Sequence, residues 1–216
     1  MTWSGHDRFE RRGYHHGNLR EALVEAALEL VAEKGPAGLS ITEAARRAGV
    51  SAAAPYRHFR DADALLAEVA GRGFEQFTQA LSAAWNEGRP DPMAAFTALG
   101  RAYLNFARSH PAFYAVMFET HLAADTYPEL AAAGDRAFQI LRDAAEILAA
   151  RVPQPDRPPS LMVALHVWSL SHGIASLFCR AGDARRRLPM APEDLLEAGV
   201  LVYLQGLGLI GPTPKR

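Results

Sequence analysis

AARRAGVSAAAPYRHF, residues 44–59, sets a proline and four bulky or polar side chains directly after three alanines. Upstream, Ser40 with Glu43 has the spacing of a capping box and opens a short helix from about Ile41 to Ala48. Gly49 supplies a turn, Ser51 is placed to cap a second short helix, and Pro55-Tyr56-Arg57-His58-Phe59 completes it. Two short helices about a glycine turn fit a helix-turn-helix. Ala45 and Gly49 are small where the helices cross, and Val50 and Phe59 are the expected buried anchors. Pro55 falls in the first turn, where few internal bonds exist to lose. It also biases Ala54 away from the helical region, so a short or 3₁₀-like start is expected.

The alanines suit a helix that enters the ~12 Å major groove of DNA, because low bulk brings the backbone close to the base edges. Tyr56, Arg57 and His58 all carry donors for flanking phosphates, which fix register without reading sequence. Readout by Ala52, Ala53 and Ala54 beyond a methyl contact is expected to be poor. That shifts the burden to Thr42, an N-terminal arm and DNA shape. The DNA-binding candidates are therefore Thr42, Ser51, Ala52, Ala53, Ala54, Tyr56, Arg57, His58 and Arg60, with Arg12 (beside Arg11) as a minor-groove arm. A solvated tail is the competing reading of that arm.

The 216 residues are 49% hydrophobic and 22% charged, an ordinary globular balance. A single cysteine, Cys179, excludes a disulfide framework and a thiolate metal site. No run of about 18 uninterrupted apolar residues suggests a membrane span. MTWSGHDRFERR lacks the apolar centre of a secretion signal. The expected location is the cytoplasm, in association with the nucleoid. Net charge is −1, but residues 1–60 hold nine Lys and Arg against seven Asp and Glu, with four of the eight histidines. The basic residues gather at Arg8, Arg11 and Arg12, and again at Arg46, Arg47, Arg57 and Arg60.

The rest of the chain reads as helix, with no strand-period alternation. An arm over 1–16 precedes a helix opened by Asn18 and Glu21 and carrying the stripe Leu19, Leu23, Ala27, Leu30, Val31. Gly35-Pro36 closes it. Asp61 caps a helix to about Trp85. Further helices are expected at 93–109, from His110-Pro111, at 129–151, 160–180 and 192–207, which makes about nine. The proline-dense PQPDRPP at 153–159 connects two of them, and the Arg185–Arg187 run reads as a solvated loop. This is an all-α chain: a helix-turn-helix domain over 17–62 joined to a larger helical domain over 63–216.

GLSITEAARRAGVSAAAPYRHFRDADALL, residues 38–66, resembles the DNA-binding signature of the TetR family of bacterial regulators. HPAFYAVMF (110–118) and LHVWSLSHGIASL (165–177) resemble the subgroup whose second domain is named for a Trp…His-Gly motif, here Trp168, His172 and Gly173. The resemblance implies a repressor that dimerises through its last two helices and releases DNA when a small molecule enters the second domain. One position departs from the family. A lysine near the start of the fourth helix usually touches a phosphate, and Ala62 stands there; Arg60 is the candidate replacement.

Trp168 and His172 share a helix face. With Phe106, Phe113 and Phe118 they are the candidate ligand-pocket residues, against a competing reading as plain core. A mostly hydrophobic effector with one or two polar atoms fits this mixture. His110, His121, His166 and His172 lack the spacing of a zinc site, so no metal and no cofactor is expected. Ser169, Ser171 and His172 lie on a helix without the elbow that acyl transfer needs, which weakens the alternative of a hydrolase. A helical interaction protein without DNA binding is the other alternative. The helices at 160–180 and 192–207 are apolar around most of their circumference, through Leu161, Leu165, Trp168, Ile174 and Ala175, then Leu196, Val200, Tyr203, Leu204 and Leu207. Burial on two sides, one of them in a homodimer, is the expectation.

Overall fold

The computed structural model describes residues 19–179 and 189–211. Arg11, Arg12, Asn18 and the Arg185–Arg187 run lie outside them. The described residues form eight α-helices and no strand. They are α1 (Leu19–Lys34), α2 (Ile41–Arg47), α3 (Ala62–Trp85), α4 (Pro92–Ser109), α5 (Pro111–Glu119), α6 (Pro128–Ala149), α7 (Ser160–Phe178) and α8 (Pro192–Gly206). Proline opens α4, α5, α6 and α8 at its first residue, where its missing N–H costs nothing. Asp61 caps α3 by accepting from the Ala64 N–H at 2.8 Å. Asp91 caps α4 through the N–H groups of Met93 and Ala94.

Two expectations need correction. Nine helices become eight because the segment after Ser51 never becomes α-helical: Ala54–Arg57 is a single 3₁₀ turn. Its backbone bonds run from Ala54 N–H to the Ser51 carbonyl and from His58 N–H to the Pro55 carbonyl. Pro55, which cannot donate, occupies the middle of a segment too short to absorb the loss. The Ser40–Glu43 capping box is not made either. Ser40 gives no side-chain bond to α2, and Glu43 instead accepts from Lys34 at 2.6 Å. An ion pair to the end of α1 has outcompeted the local bond.

Two apolar cores divide the molecule. The smaller one joins Leu23, Ala27 and Leu30 of α1, Ile41 and Ala44 of α2, and Phe59. It also takes Leu65, Leu66, Val69 and Ala70 from the first half of α3 and Val116 from α5. The larger one takes the second half of α3 (Phe77, Leu81, Trp85) and the buried faces of α4, α6, α7 and α8. Phe77 sits among aromatic neighbours, 5.1 Å from the Tyr103 ring and 5.0 Å from Phe106. Helix α5 lies close on α3: a β-carbon on Gly73 would stand 2.7 Å from the Met117 sulfur. Arginine-carboxylate contacts clamp α1 to α3, Arg20 to Glu68 at 2.5 Å and Arg72 to both Glu21 and Glu68.

Helix α7 is by length and composition apolar enough to cross a membrane. Here it packs on α4, α6 and α8. Its contact with α8 is tight at Gly199, where a β-carbon would meet Leu170 at 2.9 Å.

Phe59 follows the 3₁₀ turn by two residues, is almost fully buried, and lies under the Arg20 guanidinium at 5.5 Å. Phe59→Ala should therefore lower unfolding stability by ~3–5 kcal/mol in urea denaturation. A loss below about 1 kcal/mol would mean that Phe59 is not an anchor of the smaller core.

Candidate functional site

The 3₁₀ turn presents its polar residues outward because Pro55 and Phe59 are the side chains that turn in. Thr42 on α2, then Ser51, Ala52, Ala53, Tyr56, Arg57, His58 and Arg60, are all exposed, and Ala54 is half-buried. Tyr56 is 56% exposed. The side chains of Tyr56, Arg57 and His58 make no hydrogen bond or ion pair with another described residue. Gly49, at φ +73°, makes the reversal between α2 and this turn. Such a backbone favours glycine.

The basic residues of this end are not equivalent. Arg47 is engaged by both Glu33 oxygens at 2.8 and 2.7 Å, with Glu29 at 3.5 Å. That hydrogen bonding holds the Glu33 carboxyl below the usual carboxylate range and raises Arg47. Arg46 points into solvent beside Glu43. Arg60 is tied down: it donates to Tyr127 Oη at 3.1 Å and to Asp61 at 3.0 Å, with its guanidinium 5.4 Å from the Tyr127 ring centre. Tyr127 stands at the entrance of α6. Sequence reasoning missed that link, because the residues are 67 positions apart.

A second feature lies in the larger core. A cavity of about 400 Å³ opens among α3, α4, α6 and α7. Of the five pocket candidates, Phe118 and Trp168 line it; Phe106, Phe113 and His172 do not. Phe106 is packed between Phe77 and the His110 ring. Phe113 fills the space beside Gly73. His172 lies behind the wall, where Nδ1 faces the hydroxyls of Tyr103 at 3.1 Å and Tyr114 at 2.9 Å. Its Nε2 faces Ser176 at 3.4 Å. An unprotonated Nδ1, with its single lone pair, can accept from one of those hydroxyls at a time while Nε2–H donates to the serine. Burial pushes the imidazole pKa below its ordinary value. The wall residues that sequence reasoning missed include Phe74, Phe96, Phe138 and Asp135.

The four histidines of this half are not gathered. His166 bonds Tyr203 Oη at 2.8 Å, His110 stacks on Phe106, and His121 is exposed. Among the described residues no three His, Cys, Asp or Glu are grouped for a metal. Ser171 is buried and its hydroxyl donates to the Val167 carbonyl at 2.8 Å.

Two family models match the chain. One, described as bacterial regulatory proteins of the tetR family, covers residues 23–69. The other, described as tetracyclin repressor-like, C-terminal domain, covers 96–203 and so includes Trp168, His172 and Gly173. YobS of Bacillus subtilis, an uncharacterized HTH-type transcriptional regulator, is 25% identical over 199 residues, covering 88% of this chain and 93% of its own. A solved protein of unknown function from Rhodococcus sp. RHA1 is 31% identical with a TM-score of 0.73, over 90% of this chain and 98% of that one. AibR, solved in complex with isovaleryl coenzyme A and operator DNA, shares the fold at a TM-score of 0.65 and 18% identity, over 85% and 96%.

The lowered His172 pKa has a pH consequence. The unfolded chain takes up a proton near 6.5 before the folded one does, so stability is full above 6.5 and falls as pH drops below it. His172→Gln should flatten that part of the stability-pH curve in thermal melts, leaving the acid limb set by Glu21, Glu33 and Glu68 in place. An unchanged slope between neutral pH and about 5 would show that His172 is not the group responsible.

Proposed function

Because the chain belongs to the TetR family of bacterial transcriptional regulators, we propose that it is a ligand-responsive repressor acting as a homodimer on a palindromic operator. The observation that carries the DNA half of this reading is the row of exposed, uncommitted donors on the 3₁₀ turn. Tyr56, Arg57 and His58 reach phosphates, Ser51 to Ala54 lie over the base edges, and Thr42 comes from α2. Arg12 belongs to the proposal as an arm residue outside the described part. The helix-turn-helix domain runs over 17–62 and the effector and dimerisation domain over 63–216, with α3 continuous between their cores.

The dimer is supported by apolar surface left over on α7 and α8. Leu161 is 49% exposed, Leu165 41%, Leu177 52% and Val202 70%. No described atom lies near the α-carbon side of Gly173 or Gly206. Ile174, Ala175, Leu196, Val200 and Leu204 are used up inside the chain. A partner copy covering the outward residues would set two recognition turns for successive major grooves, ~34 Å apart.

The effector reading rests on the cavity, whose volume falls in the range of small-molecule sites. Its walls include α6, and Tyr127, the residue immediately before α6, grips Arg60. An effector that shifts α6 would pull on Arg60, and through α3 and α5 on the smaller core. Helix α4 belongs to the larger core alone, so it reaches the smaller core only through the helices that enter both, α3 and α5. Phe106, Phe113 and His172 act from behind the wall rather than on the ligand.

The test begins with a selection of random duplexes to recover the operator. Against it, Tyr56→Phe and His58→Ala should each weaken binding, and Arg57→Ala should in addition reduce the salt slope by about one. Val202→Asp should give a folded monomer by light scattering that has lost high-affinity operator binding. Tyr127→Phe should keep folding but alter operator affinity through Arg60. Full operator affinity in the Tyr56 and His58 variants, or a dimeric Val202→Asp protein, would overturn the corresponding half.

A further inference from the structure

The charge of the cavity wall is one-sided. Among the described residues seven aromatic side chains line it, among them Phe74, Phe77, Phe118, Phe138 and Trp168, and no lysine, arginine or histidine does. The one carboxylate among its described wall residues is Asp135, on α6 next to Gly134. Asp135 is exposed, and it takes part in no ion pair or hydrogen bond with another described residue. The remaining polar groups are already engaged. Ser171 donates to the Val167 carbonyl, and the Tyr103 hydroxyl faces His172. Burial also keeps the Tyr103 phenol protonated, well above its ordinary range.

These facts discriminate among ligands by charge. An anion entering here would shed water with no ammonium, guanidinium or imidazolium to replace it, and would approach a carboxylate of its own sign. A neutral apolar molecule would leave Asp135 facing solvent at the rim, at no gain. A cation with apolar substituents gains twice. Its positive centre is attracted by the negative faces of the aromatic rings, and Asp135 supplies the counter-charge at the rim. Weakly hydrated cations, whose charge is shielded by alkyl or aryl groups, lose least on entry.

Resting on the reading of this cavity as the effector site, we propose that the effector is a hydrophobic cation, a quaternary or protonated amine on an aromatic or branched apolar body, held by the aromatic wall and paired with Asp135. This departs from the coenzyme A thioester that AibR was solved with, whose phosphates would find no lysine, arginine or histidine among the described wall residues.

The test uses three probes on one scaffold: 4-tert-butylbenzyltrimethylammonium, 4-tert-butylbenzyl alcohol and 4-tert-butylphenylacetate. Each is titrated calorimetrically into the full-length protein and into the Asp135→Asn variant, whose exposed substitution leaves the core intact. The cation should bind most tightly to the unaltered protein. Asp135→Asn should weaken it about three- to tenfold, leave the alcohol within about twofold and narrow the gap to the anion. Equal or tighter binding of the anion or the alcohol overturns the charge assignment, as does an unchanged cation affinity in the variant; the cavity then still stands as an effector site. If none of the three binds, the effector reading falls with it.

Discussion

Helix α3 is buried at both ends, but in different company, and the arrangement of everything else follows from that. Its first half closes the smaller core through Leu65, Leu66, Val69 and Ala70, and its second half enters the larger one through Phe77, Leu81 and Trp85. A continuous helix of 24 residues cannot shift at one end without displacing the other. Helix α5 repeats the constraint over a shorter distance, since Val116 belongs to the smaller core and Met117, the next residue, to the larger. Gly73 is where the two straddling helices meet, and the missing β-carbon is what lets Met117 and Phe113 sit against α3. The ion pairs from Arg20 and Arg72 then fasten α1 to the same helix.

The 3₁₀ turn proposed to face DNA is built with almost no helix of its own. Four residues of 3₁₀ structure carry it, and side-chain burial at Pro55 and Phe59 does what hydrogen bonds do in a longer helix. A turn fixed by two buried side chains can leave every other side chain outward. That explains why Tyr56, Arg57 and His58 are all uncommitted at once, and why the chain tolerates three alanines with no packing to offer. The cost is dependence on α1 and α3, whose residues form the socket for Phe59.

Much of this was legible in the residues, and the reasons are local. Proline at His110-Pro111 and the aspartate cap at Asp61 mark helix starts by chemistry that acts within four residues. The glycine turn at Gly49 is equally local. What could not be read is what depends on contacts distant in sequence. Lys34 draws Glu43 away from its expected cap, and Tyr127 holds Arg60. The cavity shows the same limit. Helical spacing puts Phe106, Phe118, Trp168 and His172 on apolar faces, but it cannot say which side of a packed aromatic looks into empty space. Asp135, beside the small residues Ala133, Gly134 and Ala137, reads in sequence as an ordinary solvated charge. Only the hollow next to it changes its meaning.

Leu165 belongs both to the cavity wall and to the outward apolar surface of α7. A second copy packed on that surface would press on the residue whose inner side borders the cavity. Occupancy and dimer geometry would then be linked by one side chain rather than by a relay through the whole domain. Binding to one arrangement of the dimer in preference to another is the thermodynamic requirement for release from an operator, and affinity alone does not supply it. In the proposed dimer a ligand in this cavity would act on both connections, the partner through α7 and the 3₁₀ turn through α6 and Tyr127.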